Sequence, residues 1–344
     1  MKPALKVINP GLHTTVQDLG RIGFQDVGVP VSGPLDRISL RLANVLVGNS
    51  AGTPALEMIH QGPALEVQAE SVRVALVGCN AMIEIGTVGA RPIPAGRSVR
   101  LTRGVVFSVT KLGDSGCAYL AIEGGVDAAP SLGSASTYVR GALGGYSGHA
   151  LRQADLIPLK QAAVDVRSEH ALARPLDLAL DQPIRVVLGP QADFFTDAAI
   201  ETFLSAEYTI SPQSDRMGFR LEGPRLDHAK GYNIVSDGIV TGSIQVPGSG
   251  LPIVLMADAQ TSGGYPKIAT VVSADIPLLG RRKPGQKIRF TAIGVGEAES
   301  LRRTQEADFL QSVEALRVLN ASAGIDLAAL YTENLVSGVA NALG

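Results

Sequence analysis

The sequence predicts a mostly β protein with a few helices, organised as two domains of sandwich or barrel type. Three observations carry this. Short β-branched runs separated by Gly, Pro and Asn turns recur along the whole chain, without the regular strand–helix alternation of βα units. At 344 residues and 45% hydrophobic content, the chain is too long for one ordinary core and rich enough for two. Its 39 Gly and 20 Pro suit many tight turns rather than disorder.

The first domain is expected over residues 1–160. Its strands are read at 72–78, 98–101 and 105–109, and one helix at Pro34–Val47. Pro34 suits a first helical position, Ser32 or Gly33 the cap, and Gly48 the stop. Leu35, Ile38, Leu42, Val45 and Leu46 keep to one face of that helix. Residues 161–182 lose strand character, collect charges and Ala, and read as a linker. The second domain, 183–296, repeats the β habit at 184–189, 208–210 and 287–290, with a helix near Asp193–Leu204. A C-terminal helical segment, 297–344, opens with a helix over Glu297–Leu319, where Leu301, Phe309, Val313 and Leu316 form a stripe. A faint echo between 29–35 and 246–252, and between 94–101 and 284–290, fits two related domains.

Composition excludes several functions. Charged residues are 18% and the net charge is −2, so no basic field exists to hold a nucleic-acid backbone. With no Trp, seven Tyr and eight Phe, base-stacking platforms are not expected either. No window approaches the roughly 18 apolar residues of a spanning helix, and the N-terminus turns polar too soon for a signal peptide. Cys79 and Cys117 sit in apolar runs, as free core thiols in a reducing compartment do, so the cytoplasm is expected.

The common short signatures are missing. There is no GxxxxGK[ST] phosphate loop and no GxGxxG between a strand and a helix. The five His are scattered, and no metal site is expected. No AlaMetLysMet-type segment can accept biotin. Gly113–Gly116 matches the nucleophile segment of trypsin-like proteases in four residues, but no upstream segment supplies the His base, so it reads as a turn.

One segment does look like a site. From Gly242 to Val271 a buried strand empties into Asp258, Gln260, Thr261, Gly263, Gly264 and Tyr265, with Gln245 upstream. Polar groups between apolar strands are costly unless satisfied, and a Gly pair can bring backbone N–H groups close to an anion. The same residues also read as a hairpin turn whose Asp and Thr bond their own backbone. Asp215, Arg216 and Arg220 offer a carboxylate and two guanidinium forks, suited to a carboxylate or phosphate or to a surface ion pair. Ser32 and Asp36 stand at the start of the first helix, where they cap it or accompany a bound anion.

Taken together, Pro10–Arg21, Gly28–Asp36, Ala43–Asn49, Asp215–Leu221 and Asp258–Pro266 resemble the family of the 5-oxoprolinase C subunit. That family is also called allophanate hydrolase subunit 2 or the KipI antagonist, and is related to the carboxyltransferase domain of urea carboxylase. The resemblance implies two cyclophilin-like β-barrel domains. It also implies a KipI-like partner, the B subunit of such enzymes, and a separate A subunit. The three together use ATP to open 5-oxo-L-proline to L-glutamate. In that frame Asp258 and Asp215 are the expected acid/base groups. Arg216, Arg220, Gln245, Gln260, Thr261, Gly263, Gly264, Tyr265, Ser32 and Asp36 are the expected substrate contacts. The family relation also implies two alternatives: a carboxyltransferase component of a biotin-dependent urea or amide carboxylase, with biotin on a partner, and a non-catalytic antagonist of a kinase inhibitor. Two departures from the family pattern are His149, where Arg is usual, and Arg281, where Gln is usual.

Overall fold

The computed structural model describes residues 2–86 and 92–319. Three β assemblies dominate it. The first is a six-stranded sheet ordered 156–158, 4–9, 64–67, 106–108, 82–85, 93–94. The second is a five-stranded sheet ordered 13–17, 55–59, 117–122, 71–77, 98–102. Pairing within both is antiparallel.

Alternation along the central strands explains how the sheets stack. On strand Cys117–Ile122, Ala118, Leu120 and Ile122 enter a core shared with Leu5, Val7, Leu65 and Phe107 of the six-stranded sheet. Cys117, Tyr119 and Ala121 face the other way, into a second core with helix α1 (Arg37–Leu46). Successive side chains point to opposite faces, so a strand apolar at every position is one covered on both sides.

The third assembly is an eight-stranded sheet ordered 287–288, 208–210, 218–222, 253–255, 243–245, 267–271, 184–188, 290–292. Its two edge strands are consecutive in the chain, separated only by Arg289, so the sheet curls into a nearly closed barrel. Near-closure leaves only short edges, two and three residues long, that could template aggregation. Inside, Phe203 of helix α2 (Asp197–Ser205) stacks on Phe290 with centroids 4.6 Å apart. Leu40, Leu46, Cys117 and Tyr119 share one continuous core with Ile184, Phe219, Val254 and Phe290, so apolar packing runs from the first half of the chain into the second.

Several boundaries differ from the sequence expectation. Helix α1 begins at Arg37 rather than Pro34, because Asp36 is its cap: Asp36 Oδ1 accepts from the N–H of Ile38 and of Ser39, both at 3.0 Å. Gly48, at φ 85°, follows the helix end as expected. The stretch 161–182 is not a bare connection: Glu169–Ala171 forms a two-stranded ribbon with Arg317–Leu319. Between the short helix α3 (Ile276–Gly280), which carries no periodic signal and was not expected, and that ribbon lies the last long helix, α4. It spans Val295–Glu314 and gives way to the ribbon strand instead of running to Leu319. Residues 320–344 of the expected C-terminal segment lie outside the described residues.

Two contacts lock these parts together and yield predictions. A Cβ at Gly280 would meet the Leu35 carbonyl oxygen at 2.5 Å, so α3 and the loop before α1 approach backbone to backbone. Gly280→Ala is expected to destabilise by about 1–3 kcal/mol, read as a lower denaturant midpoint with an unchanged slope. Glu306 of α4 receives both Arg41 nitrogens, at 2.6 and 2.7 Å, and these hold its carboxyl down to about 2. Asp18 is also held below its ordinary value. Burial opposes ionisation there, but Ser134 and Ser136 hydroxyls and the N–H groups of Gly20 and Ala135 outweigh it. A depressed carboxyl contributes stability above its unfolded pKa, roughly 4, and loses it as pH falls through the folded value. Thermal stability should therefore fall as pH drops from about 4.5 towards 2, and Asp18→Asn should flatten that decline.

Candidate functional site

The expected site residues separate into four places. The first is an open cleft of about 460 Å³ on the barrel, lined by Asp215, Arg220, Gln245, Gln260 and Tyr265 together with Arg140. Strand Gly218–Glu222 carries Arg220 and strand Ser243–Gln245 carries Gln245, with Ile253–Leu255 between them. Gln245 is 2% exposed, and its Nε2 has no hydrogen-bond partner among the described residues. A buried amide nitrogen left unpaired costs free energy that a bound acceptor can recover.

Asp215 holds the rim. Its Oδ1 accepts from the N–H of Met217 at 2.8 Å and of Gly218 at 3.3 Å, which fixes the turn into strand 218–222. Its Oδ2 lies 3.5 Å from Arg140. The arginine comes from the first half of the chain and the carboxylate from the second, so the cleft draws its walls from both. Nothing in the local sequence around Arg140 marks it for this place.

The second place is a buried ion cluster. Arg216 Nε and Nη2 bind Asp258 at 2.8 and 3.1 Å, Nη1 binds Glu57 Oε1, and Nη2 also reaches the Gly33 carbonyl at 2.8 Å. Glu57 Oε2 accepts from the Tyr119 hydroxyl at 2.6 Å and from Leu35 N–H at 2.9 Å. The Tyr119 oxygen in turn accepts from Asp36 N–H at 2.7 Å. Asp36 binds Arg281 at 2.8 Å, which neutralises the helix cap.

Electrostatics follow from burial with compensation. Burial disfavours the Arg216 charge, but Asp258 and Glu57 more than offset this and raise its pKa. Burial and the nearby carboxylates push the Cys117 thiol and the Tyr119 phenol well up, so Tyr119 stays a neutral donor.

Asp258, Arg216 and Asp36 stand apart from the open cleft in this geometry. All three are buried and held in the cluster's ion pairs, which clamp the two halves together. Glu57, which sequence reasoning passed over, sits at the centre of the clamp. The signal for it was a lone acid inside an otherwise apolar strand, Ala55–Ile59.

In the third place, Thr261, Gly263 and Gly264 form a ribbon edge. Strand Ser262–Gly263 pairs with Asp237–Gly238, the Gly264 carbonyl accepts from Ile234 and the Thr261 carbonyl from Ile239. Neither glycine has a positive φ, so they form no anion-binding nest. Their smallness serves packing: a Cβ on Gly263 would meet Gln245 Nε2 at 2.5 Å. The fourth place holds Ser32, which lines a separate cleft with Arg37 and Arg302. His149 packs locally, edge-on to Tyr146 with centroids 5.7 Å apart. Among the described residues no cluster of His, Cys, Asp and Glu could hold a metal, and no helix is long and apolar enough to cross a membrane.

Known proteins share this architecture. Residues 27–292 match the carboxyltransferase domain family, subdomain A and B. The chain is similar to the 5-oxoprolinase C subunit of Escherichia coli, at 36% identity over 311 residues, covering 89% of this chain and 97% of that protein. It is similar to the 5-oxoprolinase C subunit of Haemophilus influenzae, at 34% identity over 88% of this chain and 95% of the relative. The crystal structure of the K. lactis urea amidolyase superposes with a TM-score of 0.83 at 32% identity, covering 91% of this chain and 20% of that one. The chain belongs to the carboxyltransferase domain family, subdomain A and B, alongside the 5-oxoprolinase C subunit and the matching part of urea amidolyase.

Proposed function

We propose that this chain is the C subunit of an ATP-dependent 5-oxoprolinase, opening 5-oxo-L-proline to L-glutamate with A and B subunits in the cytoplasm. The observation that carries the reading is the unpaired, buried amide of Gln245 in a cleft bearing one carboxylate and two guanidinium groups. A small cyclic amide with a carboxylate complements that set. Arg220 and Arg140 hold the substrate carboxylate, Gln245 binds the lactam amide, and Gln260 and Tyr265 close the rim. Asp215 Oδ2 orients the attacking water and takes its proton. Hydroxide adds to the ring carbonyl carbon, the C–N bond breaks, and the nitrogen leaves with the proton as the amine of glutamate.

ATP would supply a phosphoryl group to the lactam oxygen, leaving ADP and making the unstrained ring a better electrophile. C–N cleavage by the first water then leaves an acyl phosphate, which a second water splits to glutamate and phosphate. The Asp215 turn already uses the N–H groups of Met217 and Gly218 internally, so it offers no free pair to a phosphate. In this reading ATP is bound within the complex, outside the Gln245 cleft. The test is glutamate release from 5-oxoproline with the three subunits mixed and each omitted in turn. Release should require all three; full activity without this chain would overturn the proposal.

A second reading, a carboxyltransferase component acting on urea or another amide, is favoured by the superposition on urea amidolyase. It requires a biotinyl partner and so predicts inhibition by avidin, which the oxoprolinase reading does not.

A further inference from the structure

A second cleft, of about 440 Å³, shares no lining residue with the first. Its walls come from the loop before α1 (Val31, Ser32), the first turn of α1 (Arg37), strand 267–271 with Ser273, and α4 (Arg302, Gln305). Its charge is unbalanced. Arg37 and Arg302 line it, and beside it, outside the lining, Arg41 and the carboxylate Glu306 complete a group of three cations and one anion. Glu306 is taken bidentately by Arg41 and reached by Arg302 at 3.3 Å. Arg37 makes no ion pair among the described residues. Its charge is disfavoured by burial first and then by Arg302 and Arg41, with Glu306 only partly offsetting them.

The second observation is independent of charge. Ser32 is 6% exposed, its Oγ is fully buried without a partner among the described residues, and its backbone is held at φ 54° by the Ser32 N–H to Ala257 carbonyl bond at 3.0 Å. A left-handed conformation is costly for a non-glycine residue. Gly would be the ordinary choice there unless the hydroxyl is used. Thr241, Thr270 and Ser273 add hydroxyls around the same space.

We propose that this cleft is a binding site for a phosphate-type oxyanion, held by Arg37, Arg302 and the Ser32 hydroxyl. Guanidinium forks suit tetrahedral oxyanions through paired N–H donors, and a hydroxyl supplies the remaining donor. The ligand's phosphate comes either free or as part of a nucleotide, and the same binding measurement separates the two sources.

The experiment is isothermal titration of the full chain with inorganic phosphate, and separately with ATP, at matched ionic strength set with chloride. Saturable phosphate binding is expected, at least about tenfold weaker in Arg37→Gln and in Arg302→Gln. Competition by ATP for the same site assigns the phosphate to a nucleotide; phosphate binding without competition assigns it to a free or other phosphorylated species. Ser32→Ala is the diagnostic variant. It should leave melting temperature unchanged or raised, since it removes an unpaired buried hydroxyl, and yet weaken phosphate binding. No saturable binding of either probe, or binding unchanged in both arginine variants while they remain folded, would overturn the proposal. Neither outcome depends on glutamate release, because none of these residues lines the Gln245 cleft.

Discussion

Arg216→Met should lower stability by about 3–5 kcal/mol, the largest effect expected of any single substitution in the chain. The reason is the company the guanidinium keeps. It is 7% exposed, donates to both oxygens of Asp258 and to Glu57, and caps the Gly33 carbonyl. Methionine fills similar volume but leaves two carboxylates buried without a counter-charge. One of them must take up a proton or the halves must part to admit water. A fall in melting temperature on the order of 10 °C is expected, measured by calorimetry. Adding Glu57→Gln and Asp258→Asn to Arg216→Met should recover part of that loss, because neutral amides tolerate the missing cation. No recovery would show that the loss comes from packing rather than from stranded charge.

Variants of the open cleft should behave in the opposite way. Arg220 is exposed and its guanidinium makes no hydrogen bond among the described residues, so Arg220→Gln should leave the melting temperature within about 2 °C. In the reconstituted complex it should raise KM for 5-oxoproline, since a carboxylate contact made in ground and transition states alike is uniform binding. Gln245→Leu should instead lower kcat by roughly 10²–10³, because an amide donor to the developing oxyanion acts most strongly in the transition state. It should also leave stability unchanged or improved, as it removes a buried, unpaired nitrogen. The two variants together separate substrate capture from stabilisation of the reacting carbonyl.

Much of the fold was legible because its signals are local. Runs at 184–189 and 208–210 became strands Ile184–Leu188 and Tyr208–Ile210 almost residue for residue. Helix α1 was visible from its apolar face, yet its start was misplaced by three residues, at Pro34 rather than Arg37. Pro34 and Ser32 carry the usual start signals, but the Asp36 carboxylate outcompetes them by bonding two N–H groups at once. The segment from Gly242 to Val271 was visible as polar groups among buried strands. What it contained was not, since its members serve three different ends. Gln245, Gln260 and Tyr265 face the cleft, Asp258 enters the ion cluster, and Thr261 to Gly264 build a ribbon.

Long-range partners left no trace in spacing. Glu57 and Arg216 are 159 positions apart, and Asp36 and Arg281 are 245 apart. Only the unfavourable burial of a charge on strand Ala55–Ile59 hints that a partner must arrive from elsewhere.

Two aspartates of the barrel half have opposite surroundings. Asp215 is on the exposed cleft rim with Oδ2 paired only loosely, 3.5 Å from Arg140, and Asp258 is sealed against Arg216. The most direct measurement is ATP-dependent glutamate formation by the reconstituted complex carrying Asp215→Asn or Asp258→Asn, with melting temperatures taken on the same preparations. Asp215→Asn is expected to melt like the parent and to lose at least about 10² in kcat. Asp258→Asn is expected to melt several degrees lower and to turn over normally while folded. Full turnover by Asp215→Asn, or loss of turnover by a normally stable Asp258→Asn, would contradict this assignment and return the chemistry to the buried cluster.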